Sequence, residues 1–218
     1  AVLPAQSFVD APADAPDDLK TAGKYTTGKR VDTVGSVMGK SYERPTGVSL
    51  PFKDQPLQVH SGIKVMPDCS FLFLTDNGTG SLYNSADSML YLNRHKIDWA
   101  SGKVERQETI FLHDPDKKVP FRIVHENTAK RYLTGADFDT EGFQIIGDTF
   151  WIGDEFGPWL LHFSRTGVLL DPPYPMPGGL RSPNHPSLVN SPELATQPNS
   201  RGIEALAIST DGRYLYAA

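Results

Sequence analysis

Residues 141–155 read EGFQIIGDTFWIGDE, two short apolar runs around a Gly-Asp turn. The second run is rich in aromatic residues, and the whole pattern predicts a β-hairpin. Related phrases lie on either side: residues 61–78 read SGIKVMPDCSFLFLTDNG and residues 204–218 read EALAISTDGRYLYAA. A phrase that recurs at intervals of tens of residues indicates a repeat architecture. We therefore expect three equivalent hairpins.

The turn of the central copy predicts which of its residues face each other. If residues 147 and 148 form the turn, Glu141 lies opposite Asp154, with Cβ atoms about 4.5–5.5 Å apart. Two carboxylates at that distance repel each other unless a cation or a shared proton relieves them. Glu155, the next residue, points to the other face of the strand. Glu141 and Asp154 are thus candidate cation-binding or catalytic residues, or simply turn formers at strand ends.

The outer copies extend this pattern to a fold. Counting outward from the turn in the same way places Ser61 opposite Asp76, and Glu204 opposite a position 219 that follows the last residue. Propeller blades typically take about 40–50 residues, so the copies would be blades enlarged by loops. A closed ring needs roughly 4–8 blades. We predict an all-β, β-propeller-like fold of about three blades, a fragment of a larger closed propeller whose partner is the remaining C-terminal part of the same protein.

Composition excludes several classes of protein. The 218 residues carry a net charge of −5 and show no basic cluster, which argues against nucleic-acid binding. No run approaches the ~20 apolar residues of a transmembrane helix. The single cysteine, Cys69, allows neither an internal disulfide nor a cysteine-rich zinc site. A chain that starts at Ala1 fits removal of a signal peptide, so a secreted or periplasmic location is expected.

Composition also divides the chain. Residues 1–30 include an Ala-, Pro- and Asp-rich stretch with little to bury, and we expect an extended or disordered lead-in. Residues 31–218 would form the propeller-like domain. Within it, residues 171–200 contain eight of the 18 prolines, which predicts a long, stiff surface loop. Such a loop is either a binding surface or a spacer between blades.

Three phrases carry a resemblance to a known family. They are FDTEGF at residues 138–143, FWIGDEFGP at 150–158 and NSRGIEAL at 199–206. Over about residues 55–218 the chain resembles the phytase-like family, whose domain is described as "esterase-like activity of phytase". The resemblance implies a secreted, propeller-like domain with recurring acidic residues and ester or phosphoester hydrolysis. The matching acidic and basic positions are Asp76, Glu141, Asp154, Glu155, Arg201 and Glu204.

Two functions are consistent with these residues. One is a metal-dependent hydrolase of a small phosphorylated or ester substrate, in which carboxylates bind a cation such as calcium and an arginine grips a phosphate. The expected metal ligands are Asp76, Glu141, Asp154 and Glu204, and the expected catalytic residues are Glu141, Glu155 and Arg201. The alternative is a non-catalytic propeller that serves as a binding or scaffold module, with the same carboxylates around a structural cation.

Overall fold

The structure, a computed structural model that describes residues 1–4, 6–57 and 60–218, consists almost wholly of short strands and turns. The strands are β1 (Phe8–Val9), β2 (Thr21–Ala22), β3 (Val37–Ser41), β4 (Arg44–Leu50), β5 (Phe52–Lys53), β6 (Gln55–Pro56), β7 (His60–Val65), β8 (Phe71–Thr75), β9 (Tyr91–Asp98), β10 (Lys103–Phe111), β11 (Thr140–Ile146), β12 (Thr149–Asp154), β13 (Trp159–Ser164), β14 (Tyr174–Pro175), β15 (Leu206–Ile208) and β16 (Leu215–Ala217). The described helical segments are 3₁₀ turns at Asp17–Leu19, Leu82–Asn84, Pro186–Leu188 and Pro192–Leu194. None of them is long and apolar enough to cross a membrane. The prediction of an all-β fold is confirmed.

Two four-stranded antiparallel sheets form the body of the protein. The first has the strand order β10-β9-β8-β7 and the second β11-β12-β13-β14, so each is a meander of consecutive strands. Strands β15 and β16 form a separate hairpin. The three repeated phrases coincide with the hairpins β7–β8, β11–β12 and β15–β16. The described strands do not close into a ring, and the propeller remains a prediction.

The register of the central hairpin differs from the predicted one near its open end. Thr140, rather than Glu141, lies opposite Asp154. The prediction that Glu141 faces Asp154 is wrong, because a β-bulge between residues 140 and 143 gives β11 an extra residue. Since successive strand residues alternate between faces, this shift places Glu141 on the face opposite to that of Asp154.

The first hairpin contains the same irregularity. Its register is shifted by one residue, and a bulge follows between His60 and Gly62, so that Thr75 lies opposite His60. The prediction that Ser61 faces Asp76 is therefore also wrong. In the third hairpin, by contrast, the ladder from β15 to β16 follows the expected register.

The main hydrophobic core joins the two large sheets. Alternate residues of β8 and β9 contribute Leu72, Leu74 and Leu92, and alternate residues of β12 and β13 contribute Phe150, Ile152, Leu161 and Phe163. The period of two along each strand puts these side chains on one face. Because burying each one is worth about 1.5–3 kcal/mol, the core holds the hairpins in a fixed relation to one another.

The N-terminal segment packs on the domain. Strand β1 pairs with β6 and β2 with β5. Leu19 is fully buried in a second core that includes Tyr91, and the buried Lys24 forms an ion pair with the buried Asp87 at 3.4 Å. The described part of the predicted lead-in, residues 1–30, is thus folded against later strands, because a few apolar side chains among its prolines and aspartates find partners there.

The Pro-rich segment leads from the second sheet to the third hairpin. Between β14 and β15 the chain is irregular apart from two 3₁₀ turns. The Ser182 hydroxyl donates to the Phe156 carbonyl oxygen at 2.6 Å. Farther along, Ile203 is buried, and its N–H donates to the Asp154 carbonyl oxygen at 3.3 Å. These contacts hold the start of the third hairpin beside the end of β12.

Candidate metal centre

The first strands of the three hairpins lie side by side, with β11 between β7 and β15. Glycines allow their backbones to approach closely. A Cβ atom on Gly62 would lie 2.9 Å from the carbonyl oxygen of Glu141, and one on Gly142 would lie 2.9 Å from the carbonyl oxygen of Glu204. A side chain at either position would push the hairpins apart. The bulged ends of the strands therefore meet at one place.

Equivalent bulges direct equivalent residues into this junction. In the third hairpin the N–H groups of Glu204 and Ala205 both donate to the Ala218 carbonyl oxygen, at 2.9 and 3.1 Å. Two residues thus oppose one, as in the bulges of the first two hairpins. Ser61, Glu141 and Glu204 occupy corresponding positions. A β-bulge commonly re-aims a side chain beside a functional site.

One group of carboxyl groups, which we call the inner group, consists of Asp76, Asp139 and Glu141. Their ligand oxygens lie within 4.8 Å of one another. Asp139 is 6% exposed, and the Asn77 side-chain amide donates to its Oδ2 at 2.9 Å. Its other oxygen, Oδ1, is buried and accepts no hydrogen bond from the described residues. A proton shared with the neighbouring Asp76 carboxyl group, or a cation, would satisfy this carboxyl group.

A second group, the outer group, consists of Glu141, Glu155 and Glu204, again with ligand oxygens within 4.8 Å of one another. Glu155 is 7% exposed, and its N–H donates to the Asp139 carbonyl oxygen at 2.9 Å. Glu204 is exposed, so this group opens to solvent. Glu141 belongs to both groups. Together the five residues form what we call the carboxylate centre.

Crowding and burial make these groups hard to ionise. Burial, and then the hydrogen-bonded carboxyl group of Asp76, raises the pKa of Asp139 to about 9. Burial, and then the neighbouring Glu204, raises the pKa of Glu155 to about 8. Burial also raises the pKa of Glu141 to about 7, and the carboxyl groups on both sides add to the effect. The folded chain thus keeps protons here unless another positive charge replaces them.

Basic side chains do not supply that charge. In the part of the chain that the structure describes, no Lys, Arg or His forms an ion pair with a member of the carboxylate centre. Carboxylate oxygens are the preferred ligands of hard divalent cations such as Ca²⁺. The donor set therefore fits a bound cation.

Asp154, a predicted metal ligand, has a different environment. It is fully buried, and its Oδ1 accepts the Asp139 N–H at 2.8 Å while its Oδ2 accepts the Gly157 N–H at 2.7 Å. Burial raises its pKa to about 7, although these backbone donors act in the opposite direction. Both of its oxygens are thus bound to the backbone around the end of β12, and it is outside both groups.

The match to known families covers this whole region. A family model described as "Phytase-like: Esterase-like activity of phytase" matches residues 55–218, which include all five members of the carboxylate centre. The chain belongs to the phytase-like family. A curated relative from Arthroderma benhamiae, named "Uncharacterized secreted protein", is 37% identical to this phytase-like chain over an alignment of 94 residues. The alignment covers 36% of this chain and 18% of the relative. The chain thus spans less than a fifth of that relative's length. No solved structure matches this phytase-like chain.

Four of the residues predicted from the sequence lie together in the carboxylate centre of this phytase-like domain: Asp76, Glu141, Glu155 and Glu204. Arg201 is exposed and forms no ion pair with the centre among the described residues. Its neighbour Gly202 does reach the centre, since a Cβ there would lie 2.3 Å from the Glu155 Cα. The backbone next to Arg201 therefore runs along the outer group.

Sequence reasoning missed Asp139. The signal for it is its spacing: Asp139 precedes Glu141 by two residues, and side chains two apart on an extended chain point to the same face. It also missed two polar partners. Asn77 donates to Asp139, and the Ser61 hydroxyl donates to the Glu141 carboxylate. Ser61 lies in β7 and Asn77 follows β8, so the first hairpin supports carboxylates that belong to the second.

Proposed function

We propose that this phytase-like chain is a secreted, cation-dependent hydrolase of esters or phosphoesters, with the carboxylate centre as the binding site of a divalent cation such as Ca²⁺. The observation that carries the proposal is the convergence of five carboxyl groups from three hairpins without a basic partner among the described residues. Ca²⁺ takes six to eight oxygen ligands at about 2.3–2.6 Å. Oxygens that lie within 4.8 Å of one another can share such an ion.

The residues of the centre would divide the work. A bound cation supplies Lewis acidity, which polarises a phosphoryl or carbonyl oxygen. The inner group, which contains the buried Asp139, would hold the cation. Glu155, at the solvent-facing side with a raised pKa, is the best placed to accept a proton from an attacking water. Arg201, exposed on the segment beside Glu155, would bind an anionic group of the substrate.

The arrangement of strands supports a propeller as the scaffold. Each large sheet is a four-stranded meander, the usual form of a propeller blade. The first strand of each repeat, β7, β11 or β15, lies beside its counterpart in the next. We interpret these as innermost strands of successive blades, which would bring the carboxylate centre to the axis. The name of the fungal relative supports secretion.

A non-catalytic module is the second candidate, and the position of the centre favours it. The five carboxyl groups come from three hairpins, so a cation there would join hairpins that otherwise meet through close backbone contacts. Such an ion would be structural. It would raise the melting temperature by mass action, and no substrate would be turned over.

Hydrolysis assays distinguish the two candidates. The chain is stripped with EDTA, and phosphate release from phytate and cleavage of p-nitrophenyl esters are measured before and after Ca²⁺ is restored. The hydrolase proposal predicts activity that EDTA removes and Ca²⁺ restores, and that Glu155→Gln abolishes. The matched control is Glu105→Gln, an exposed glutamate on the opposite edge of the first sheet, which should keep full activity. Calcium-dependent melting without turnover would favour the structural candidate, and activity indifferent to EDTA would rule out the metal mechanism.

A further inference from the structure

The three hairpins share one face of corresponding side chains, which we call the near face. In each hairpin it is formed by two cross-strand pairs, whose four side chains lie on one side of the sheet. These residues are Ile63, Val65, Phe71 and Phe73 in the first hairpin, Phe143, Ile145, Phe150 and Ile152 in the second, and Leu206, Ile208, Leu215 and Ala217 in the third. The opposite side of each hairpin is its far face.

Along the chain, each near face packs on the far face of the preceding hairpin. Gly62 is on the far face of the first hairpin, and a Cβ atom there would lie 2.6 Å from the ring of Phe143 on the second near face. In the third hairpin Ile208 and Leu215 line a cavity together with Trp151, which is on the second far face. Both contacts therefore use the same sides of the hairpins, as in sheets stacked face to face.

The near face of the first hairpin has no such partner in the described chain. Ile63 and Val65 are 55% and 67% exposed, whereas the corresponding Phe143 is buried and Ile145 is half-buried. The N-terminal segment packs on the same side of the first sheet at Tyr91, but Ile63 and Val65 remain exposed. An exposed apolar patch of this kind marks an interaction site.

The third hairpin presents the complementary surface, an exposed far face. Tyr216 lies opposite Ala207 on this face and is 60% exposed. Tyr214, just before β16, is also more than half exposed. Tyr216 corresponds to Trp151, which faces the third hairpin, and large aromatic side chains are typical anchors of protein interfaces. Among the described residues, the three hairpins thus leave one near face and one far face free.

We propose that the free near face of the first hairpin binds the free far face of the third hairpin in a second copy of this chain. The occupant follows from continuity, because a near face on a far face is the contact that the chain makes twice within itself. Such a head-to-tail contact generates a ring when its rotation closes. Two copies would bring six hairpins together, within the roughly 4–8 blades of closed propellers, and three copies would exceed that range. We therefore expect a dimer.

Analytical ultracentrifugation over a range of chain concentrations tests this proposal. The wild-type chain should have twice the mass of one chain and dissociate on dilution. Val65→Glu and Tyr216→Glu should each be monomeric, because each variant puts a charge into both contacts of the dimer. Val189→Glu is the matched control, since Val189 is equally exposed but belongs to neither face, and it should remain dimeric. Circular dichroism spectra show whether each variant is folded.

Mixing the two variants tests the direction of the contact. Val65→Glu keeps an intact far face and Tyr216→Glu an intact near face, so an equimolar mixture should recover a dimer held by one of the two contacts. A wild-type chain that stays monomeric at every concentration overturns the proposal. A Tyr216→Glu variant that still dimerises also overturns it, because the third hairpin would then have no part in the contact. These results are masses, so they do not depend on cation binding or hydrolysis.

Discussion

Replacement of Asp154 by asparagine separates a backbone-binding carboxylate from the carboxylates of the centre. Its two oxygens accept the N–H groups of Asp139 and Gly157 at 2.8 and 2.7 Å, and the side chain is fully buried. Asparagine offers one acceptor oxygen and one NH₂ group in the same space. One backbone N–H would then face another donor, and the second would lose a charged acceptor.

The size of the effect follows from these two bonds. A hydrogen bond to a charged acceptor contributes about 1.5–3 kcal/mol, and a buried donor left unsatisfied costs about 1–3 kcal/mol. We expect Asp154→Asn to lower the free energy of unfolding by about 2–4 kcal/mol. For a chain of this length that corresponds to a drop in melting temperature of about 5–15 °C. The calcium stoichiometry should not change, because Asp154 is outside both groups.

Thermal melts at pH 8, above the pKa of about 7 for Asp154, measure the first effect, and equilibrium dialysis the second. Glu204→Gln is the matched comparison: it should not lower the melting temperature of the calcium-free chain, and it should lose bound calcium. If Asp154→Asn keeps its melting temperature but binds less calcium, Asp154 is a calcium ligand and not a backbone-binding carboxylate.

Three further predictions concern the centre and its surroundings. Without Ca²⁺ the melting temperature should fall as the pH rises from 7 to 9. The pKa values of Asp139 and Glu155 are raised to about 9 and 8, so the folded chain holds protons that the unfolded chain has already released. Each such group changes the unfolding free energy by up to about 1.4 kcal/mol per pH unit, and melts with saturating Ca²⁺ should lose this dependence. His95→Phe should stabilise the chain by about 1–3 kcal/mol in urea unfolding, because both ring nitrogens of His95 are buried and have no hydrogen-bond partner among the described residues. This gain should be larger at pH 5 than at pH 7.5. Burial lowers the pKa of His95 to about 4, so between these pH values the histidine takes up a proton in the unfolded chain but not in the folded one. A variant that is less stable than the wild-type chain would contradict the prediction. Gly202→Ala should lower the free energy of unfolding by about 1–3 kcal/mol and weaken calcium binding, because the new Cβ would lie 2.3 Å from the Glu155 Cα. An unchanged melting temperature and calcium affinity would argue against this close approach.

The sequence alone predicts the hairpins and the recurrence of acidic residues at their open ends. Its turn residues identify all three hairpins, and in β15–β16 they predict the register as well. The bulges in the first two copies could not be predicted from turn chemistry. They occur where β11 is in close contact with β7 and β15, and such contacts are tertiary.

This one difference accounts for most of the error at the site. Without the bulge, Glu141 and Asp154 would share a face and form a cross-strand pair. With it, Glu141 joins Glu155 and Glu204, and Asp154 binds backbone amides. Asp139 was within reach of a simple alternation rule. The packing of Leu19 could not be predicted, because its partners are far away in the sequence.

A crystal structure of the chain grown with Tb³⁺, a luminescent and anomalously scattering substitute for Ca²⁺, would show whether the carboxylate centre binds a cation. We expect an anomalous peak at the junction of the three hairpins, about 2.3–2.6 Å from a carboxylate oxygen of Glu141, with Asp139 Oδ1 among its ligands. Peaks confined to other surface carboxylates, with the carboxylate centre empty, would contradict it.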